Sequence, residues 1–171
     1  DIATTATQLA GCNILIDDTA GITVMGMKAK LRRVQNLGLV VVDYLQLMQS
    51  DKRTDNRVQE VAEISRGLKL MAKELNVPII CCAQLSRGPE SRTDKRPMLS
   101  DLRDSGAIEQ DADTVIFLYR DEYYDTKNQG DEGNVAEVII AKNRHGSLGN
   151  VKVGWIGRYT KFLTVDKERK K

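Results

Sequence analysis

Histidine and cysteine are scarce in this sequence of 171 residues. There is one histidine, His145, and there are three cysteines, of which Cys81 and Cys82 are adjacent within an apolar run. A single histidine offers no histidine-based metal cluster. The odd number of cysteines, with two of them in an apolar setting, indicates buried, reduced thiols of a cytosolic protein.

Long apolar runs and a large net charge are also missing. No stretch approaches the roughly 18 to 20 apolar residues of a membrane span, and the first residues show no signal-peptide pattern. Lysine and arginine total 26 against 24 aspartate and glutamate, so any nucleic-acid surface must be local. We expect one cytoplasmic globular domain over residues 1–171, with a charged tail at about 166–171.

A phosphate-binding loop of the form G-x-x-x-x-G-K-[ST] is absent as well. The segment Gly21–Lys28 has two glycines at the right spacing, but Met27 takes the place of the lysine and no serine or threonine follows. Its β-branched residues suit a helix start better than a loop of bare amides. The chain also begins without methionine, and we interpret it as a fragment.

The most informative feature present is the apolar run Leu39–Val42, which ends in the carboxylate of Asp43. Such a run is typical of a strand buried on both faces of a parallel sheet, and open α/β sheets bind ligands at this tip. A carboxylate there suits a magnesium ion, held through water, in phosphoryl transfer. The alternative is an aspartate that ends a strand and caps a turn.

The surrounding pattern predicts alternating helices and strands. Helices are predicted at about 1–10, 24–34 and 58–75, and strands at 13–16, 39–42, 79–83 and 114–119. The order of 39–83 is that of a parallel strand–helix–strand crossover. Surface loops are predicted at 86–97, which should be mobile, and at 121–133. Strands at 136–142, 150–156 and 160–163 predict an antiparallel end to the sheet.

Three polar residues follow strands in a way that suits phosphate chemistry. Gln84 should lie at the same sheet edge as Asp43, within reach of a γ-phosphate or an attacking water. Lys142 and Arg144 lie where a later strand enters a glycine-containing turn, and could reach a neighbouring subunit's phosphates as an arginine finger. The alternative for all three is a solvated turn side chain.

The segment Arg103–Gly106 is a candidate nucleic-acid contact. An arginine beside main-chain amides, left accessible by a small Ser-Gly pair, suits gripping a phosphodiester backbone without reading bases. Aromatic residues, 5% of the chain, are too few to imply base stacking. The alternative is a capped helix start with ordinary ion pairing.

Taken together, these motifs resemble the DnaB family of bacterial replicative helicases. The resemblance runs from about Ile14 to Phe162 and implies an α/β, RecA-like ATPase fold, of which this is the later part. It also implies a homohexamer that uses ATP and Mg²⁺ to move along single-stranded DNA, with primase and a helicase loader as partners. The resemblance rests on five segments, which are Val42–Met48, Gln84–Arg87, Asp94–Arg103, Ser105–Asp113 and Ile140–Arg144.

The resemblance implies roles for the nucleotide-site residues by position. Asp43 would be the metal-binding acid, Gln84 the γ-phosphate sensor, and Lys142 and Arg144 would act in trans on the neighbouring subunit's ATP. The segment Arg144–Gly149 departs from the family's usual Arg-Asn-Gly-Pro turn. The family's phosphate loop and catalytic glutamate lie upstream of this sequence, so we expect no ATP hydrolysis by these residues alone.

For DNA, the resemblance implies that Arg103, Asp104 and Gly106 line a central channel and hold the backbone. Asp104 stands where the family often has glutamate. Two further interpretations stay open. One is another RecA-like ATPase, such as a strand-exchange recombinase; the other is a truncated module that binds DNA or a helicase without hydrolysing ATP.

Overall fold

The computed structural model describes residues 2–52, 54–102, 106–120 and 134–165. The helices are α1 (Ile2–Ala10), α2 (Val24–Leu31), α3 (Arg57–Leu75), α4 (Gly88–Ser91) and α5 (Gly106–Asp111). The strands are β1 (Val40–Val42), β2 (Ile79–Cys81), β3 (Thr114–Arg120), β4 (Asn134–Asn143), β5 (Gly149–Ile156) and β6 (Lys161–Thr164). Single 3₁₀ turns cover Leu45–Leu47, Leu99–Asp101 and Gly157–Tyr159. No helix in these ranges is both long and apolar enough to cross a membrane.

Strands β1 and β2 pair in parallel, and α3 connects them, as the sequence predicts. Val40 lies opposite Ile79 and Val42 opposite Cys81. The ladder continues past both strands, because Cys82 N donates to Val42 O at 2.9 Å and Leu45 N donates to Cys82 O at 2.9 Å. The two carboxyl ends are therefore fixed side by side.

Helix α3 supplies four of the ten buried residues in the hydrophobic core cluster, including its most fully buried side chains. The side chain of Asn56 accepts hydrogen bonds from the amides at its N-terminus, and Asn76 ends it in the left-handed region with φ 51°, a conformation that asparagine tolerates better than most residues. Its apolar stripe was predicted correctly apart from Val58, which is half-exposed. The stripe packs against β1, α2 and the 3₁₀ turn through Val24, Val40, Val42, Leu45, Val61, Ile64, Leu68 and Met71.

The other four strands form an antiparallel sheet in the order β3-β4-β5-β6, so the predicted antiparallel end of the fold is confirmed. Within the described residues it shares no strand pairing with β1 and β2 and forms a sheet of its own. Along β3 the side chains alternate: Val115, Phe117 and Tyr119 are buried, whereas Ile116 and Leu118 are more than half exposed. Strand β3 therefore has one covered face and one open face.

Three expectations are wrong. The cysteines are not buried as predicted, because Cys12 and Cys82 are exposed and Cys81 is only partly buried. Residues 13–16 are not a strand, and Ile14, Leu15 and Ile16 are 62%, 76% and 90% exposed, because no neighbouring segment in the described ranges pairs with them. The run that ends at Asp43 is buried on one face only, since Val41 is 60% exposed on β1, as is Ile80 at 55% on β2. An apolar sequence does not by itself provide the second layer of helices or strands that would cover the other face of β1 and β2.

The structure describes one of the two predicted surface loops. The loop at 86–97 contains α4 and ion pairs made by Arg92 and Arg96, which tie part of it to the rest of the fold. The predicted loop at 121–133 and the charged tail at 166–171 lie outside the described residues.

Candidate functional site

The carboxyl ends of β1 and β2 bring two predicted site residues to the same edge. Asp43 follows β1 with an exposed side chain, and Gln84 follows β2, also exposed. A side chain joins the two tips: Gln46 Nε2 donates to Gln84 O at 3.2 Å, and Gln84 N donates to Gln46 Oε1 at 3.1 Å. The edge therefore presents a carboxylate and an amide from neighbouring strands, at the position where open α/β sheets bind ligands.

The chain beyond Gln84 leads directly to the candidate nucleic-acid segment. Leu85 forms an isolated antiparallel bridge with Leu102, and Ser86 N donates to Asp101 O at 2.8 Å. Arg103 and Asp104 come next and lie outside the described residues. Gly106 is the first residue of α5 and is exposed. One pair of hydrogen-bonded segments thus links the strand tip to the start of the DNA-contact segment that the sequence predicts.

An ion pair between the partly exposed Arg92 and the buried Asp101 holds this link in place. Asp101 is 3% exposed, and Arg92 donates to its two oxygens at 2.8 and 2.6 Å while Met98 N donates at 2.8 Å. The hydrogen bond from Arg92 is the main reason that the pKa of Asp101 lies below its usual range. Two-pronged arginine–carboxylate pairing fixes orientation as well as charge.

Lys142 and Arg144 do not extend freely into solvent at their turn. Lys142 Nζ donates to the carbonyl oxygens of Glu109 and Gln110, and Arg144 Nη2 donates to Gln110 O at 3.1 Å. Both cations thus lie at the C-terminal end of α5, where helix carbonyls lack partners and positive charge is favourable. The alternative of two merely solvated charges is not what the structure shows.

A β-bulge explains why Lys142 faces α5. Val115 pairs with Lys142 but Ile116 pairs with Ile140, so Ala141 is one residue extra on β4. Directly paired residues share a face of the sheet, which places Lys142 on the covered face with Val115. If β4 kept Ala141 but paired without a bulge, its alternation would turn Lys142 to the face of Ile116.

Asp113 connects these cations to α3. Its carboxylate pairs with Lys69 Nζ and lies 3.3 Å from Arg144 Nη1, and its carbonyl oxygen accepts from Arg144 N at 2.8 Å. The hydrogen bond from Lys69 is the largest cause that lowers the pKa of Asp113. One turn earlier on α3, Ser65 Oγ donates to Asp111 Oδ2 at 3.0 Å. Sequence reasoning missed this junction, because its members are far apart in the chain.

Sequence reasoning also missed an aromatic pocket of about 410 Å³ on the antiparallel sheet. The guanidinium of Arg120 lies 4.8 Å from the ring centre of Trp155. The ring centres of Trp155 and Phe162 are 4.7 Å apart. Among the described side chains, the Trp155 indole N–H is buried without a hydrogen-bond partner. Beside the pocket, Arg96 donates to both oxygens of Glu137, at 3.1 and 2.8 Å.

The strand tips offer few protein ligands for a metal ion. In the described ranges no group of three or more histidine, cysteine, aspartate or glutamate side chains converges. One exposed carboxylate is, however, what Mg²⁺ needs when water and phosphate oxygens supply its other ligands. Asp43 fits that requirement.

A carboxylate and an amide at the tips of adjacent parallel strands are typical of nucleotide-binding α/β domains. Comparison with known proteins identifies the family within this class. The family described as "DnaB-like helicase C terminal domain" matches residues 1–164. The chain therefore belongs to the family of DnaB-like helicase C-terminal domains.

Curated relatives and solved structures agree with this family assignment. The chain is 52% identical over 164 residues to the replicative DNA helicase DnaC of Bacillus subtilis, and 51% identical to the replicative DNA helicase DnaB of Geobacillus stearothermophilus. It spans 36% of the length of each, with 94% of its own residues. Two solved structures, a DnaB-like replicative helicase studied with primase and a second protein's ATPase domain, superpose with a TM-score of 0.88 at 44% identity and cover 96% of the chain. The chain covers 41% and 59% of those two chains. The predicted α/β fold class of a DnaB-like ATPase is confirmed.

Proposed function

We propose that this chain forms part of the ATP-dependent motor of a hexameric replicative DNA helicase, which moves along single-stranded DNA and unwinds the duplex. One observation carries the proposal: Asp43 and Gln84 lie at the tips of adjacent parallel strands and are joined by the side chain of Gln46. The curated relatives, named replicative DNA helicases, support it. They also favour a helicase over a strand-exchange recombinase.

In this proposal ATP and Mg²⁺ meet the chain at the strand tips. Bound Mg²⁺ would neutralise charge on the phosphates during transfer. Asp43 would hold it through water, and the exposure of its carboxylate leaves room for that water. Gln84 contacts the γ-phosphate or orients the attacking water, and Lys142 and Arg144 reach the ATP of the neighbouring subunit.

DNA meets the chain at Arg103, Asp104 and Gly106, through side chains and main-chain groups on the phosphate backbone. This segment follows the Leu85–Leu102 bridge directly, which supports contact between the DNA segment and the nucleotide edge. Primase is a proposed partner because one related structure describes a helicase with primase. A helicase loader, a homohexamer and a cytoplasmic location complete the proposal.

The test uses the full-length protein and measures Mg²⁺-dependent ATP hydrolysis with and without single-stranded DNA. Asp43→Asn should lower kcat at least about a hundredfold, because positioning and charge stabilisation supply most of the rate. Its affinity for single-stranded DNA should change less than about twofold. Asp55→Asn, the same change at an exposed aspartate in the loop before α3, should leave kcat unaffected.

Two results would contradict the proposal. One is an Asp43→Asn protein that hydrolyses ATP at the wild-type rate. The other is a wild-type protein, of intact mass well above 19.1 kDa, that binds DNA but shows no Mg²⁺-dependent turnover. The latter would favour the alternative of a non-hydrolysing module that binds DNA or a helicase.

A further inference from the structure

Helix α5 connects two groups of residues to which the proposed function gives separate tasks. Its first residue, Gly106, is a proposed DNA contact. At its other end, the carbonyl oxygens of Glu109 and Gln110 accept hydrogen bonds from Lys142 and Arg144. A helix of six residues is about 9 Å long, so a displacement at Gly106 moves the groups that hold both cations.

Asp113 strengthens the hold on Arg144 at this end. It contacts Arg144 twice, through its carboxylate at 3.3 Å from Nη1 and through its carbonyl oxygen at 2.8 Å from the Arg144 amide. The same carboxylate pairs with Lys69 on α3. Because α3 also carries the buried core stripe, Asp113 anchors the turn after β4 to the most firmly packed helix of the fold.

The contacts within this chain compete with any contact to a neighbouring nucleotide. To reach a phosphate of another subunit, Arg144 must give up part of its interaction with Asp113 and with the end of α5. A ligand shifts such a balance only if it interacts differently with the two arrangements. DNA bound at Gly106 meets this condition, since it acts on the helix that supplies the competing carbonyl oxygens.

We propose that Asp113 is a positioning residue that, together with the C-terminal end of α5, holds Arg144 within its own subunit, and that DNA binding shifts this balance toward release by displacing α5. The inference rests on the proposed function and adds to it a route by which DNA stimulates ATP hydrolysis. Asp113 acts through Arg144 and not on the nucleotide. Removing its charge should therefore raise the ATPase rate in the absence of DNA and reduce the ratio by which DNA stimulates it.

The experiment measures kcat of the full-length protein with and without saturating single-stranded DNA, together with the DNA dissociation constant. For Asp113→Asn we expect kcat without DNA to rise about threefold, as suits a half-exposed ion pair. The DNA-saturated kcat and the dissociation constant should stay within about twofold. Asp113→Glu keeps the charge and should keep most of the stimulation.

Two further variants make the test sharper. Lys69→Met leaves Arg144 as the cation paired with Asp113 and should lower kcat without DNA, the opposite sign to Asp113→Asn. Glu74→Gln is the matched control, because it removes another lysine pair of α3, the one with Lys28, and should leave the stimulation ratio at the wild-type value.

The outcomes separate this inference from the proposed function. If DNA stimulates the wild type and stimulates Asp113→Asn by the same ratio, the inference is wrong and the proposed function stands. If both rates of Asp113→Asn fall together, Asp113 has only a structural role and the inference is wrong. If the wild type shows no DNA-stimulated turnover, the proposed function fails and the inference fails with it.

Discussion

The side-chain amide of Gln46 makes two hydrogen bonds to the main chain of Gln84. Its Nε2 donates to the carbonyl oxygen at 3.2 Å and its Oε1 accepts from the amide at 3.1 Å. Gln46 lies in the 3₁₀ turn that follows Asp43. The spacing between the two strand tips is therefore set by a side chain in addition to the sheet ladder.

Replacing this side chain should loosen the tip of β2. For Gln46→Ala we expect a loss of about 1–2 kcal/mol in the free energy of unfolding, since two hydrogen bonds are removed at a partly exposed position. The kcat for ATP should fall severalfold, because Gln84 is no longer held beside Asp43. Denaturant unfolding and steady-state ATPase assays of the full-length protein measure both. Gln8→Ala, at an exposed position on α1, serves as control, and an unchanged kcat for Gln46→Ala would argue against the role of this bond.

The partly buried pair of Arg92 and Asp101 should be costly to break. In Arg92→Met the Asp101 carboxylate, which is 3% exposed in the folded protein, loses its cation, and because Arg92 is 29% exposed we expect a loss of about 1–3 kcal/mol in the free energy of unfolding. We expect faster hydrogen exchange in 86–102 and weaker binding of single-stranded DNA. Arg92→Lys keeps the charge but loses the two-pronged geometry and should lie between wild type and Arg92→Met. Unchanged exchange in this segment would contradict the prediction.

Acid should destabilise the antiparallel sheet through Glu137. The hydrogen bond from Arg96, followed by that from Asn150, lowers the pKa of Glu137 from 4.5 to about 2. A carboxylate with a lower pKa in the folded state stabilises the fold above its unfolded pKa and loses that contribution as pH falls. Glu137→Gln should therefore be less stable than wild type at neutral pH, and the difference should shrink between pH 4.5 and about 2. Asn150→Ala keeps the Arg96 bond and should retain most of the pH dependence, as unfolding curves at several pH values would show.

The two sides of α3 should respond differently to truncation. Ile64 is 1% exposed and Leu70 is 50% exposed. Ile64→Ala should cost about 2–5 kcal/mol of unfolding free energy, because it removes packed methyl groups and leaves a cavity. Leu70→Ala on the same helix should cost less than about 1 kcal/mol. Equal losses in denaturant unfolding would mean that another part of the protein covers Leu70.

The sequence predicted the parts of the fold that local patterns determine. The helical spacing of α3, the apolar runs of β1 and β2, and polar residues placed just after each strand were enough to bring Asp43 and Gln84 to one edge. Residues 13–16 have the composition of a strand, but a strand forms only against a partner, and composition does not report one. The contacts of Lys142 and Arg144 with the C-terminal end of α5 depend on a bulge in β4 and on Asp113, and no local sequence pattern reveals either.

The extra residue at Ala141 also limits how β4 can pair with β3. Deleting Ala141 would leave Lys142 opposite Val115 in a regular ladder, on the same face of the sheet. Closing the bulge with Ala141 retained would instead turn Lys142 and the residues after it to the opposite face, so that Lys142 would leave the end of α5. In this segment the face that Lys142 occupies therefore depends on the bulge and not on the side chain at position 141.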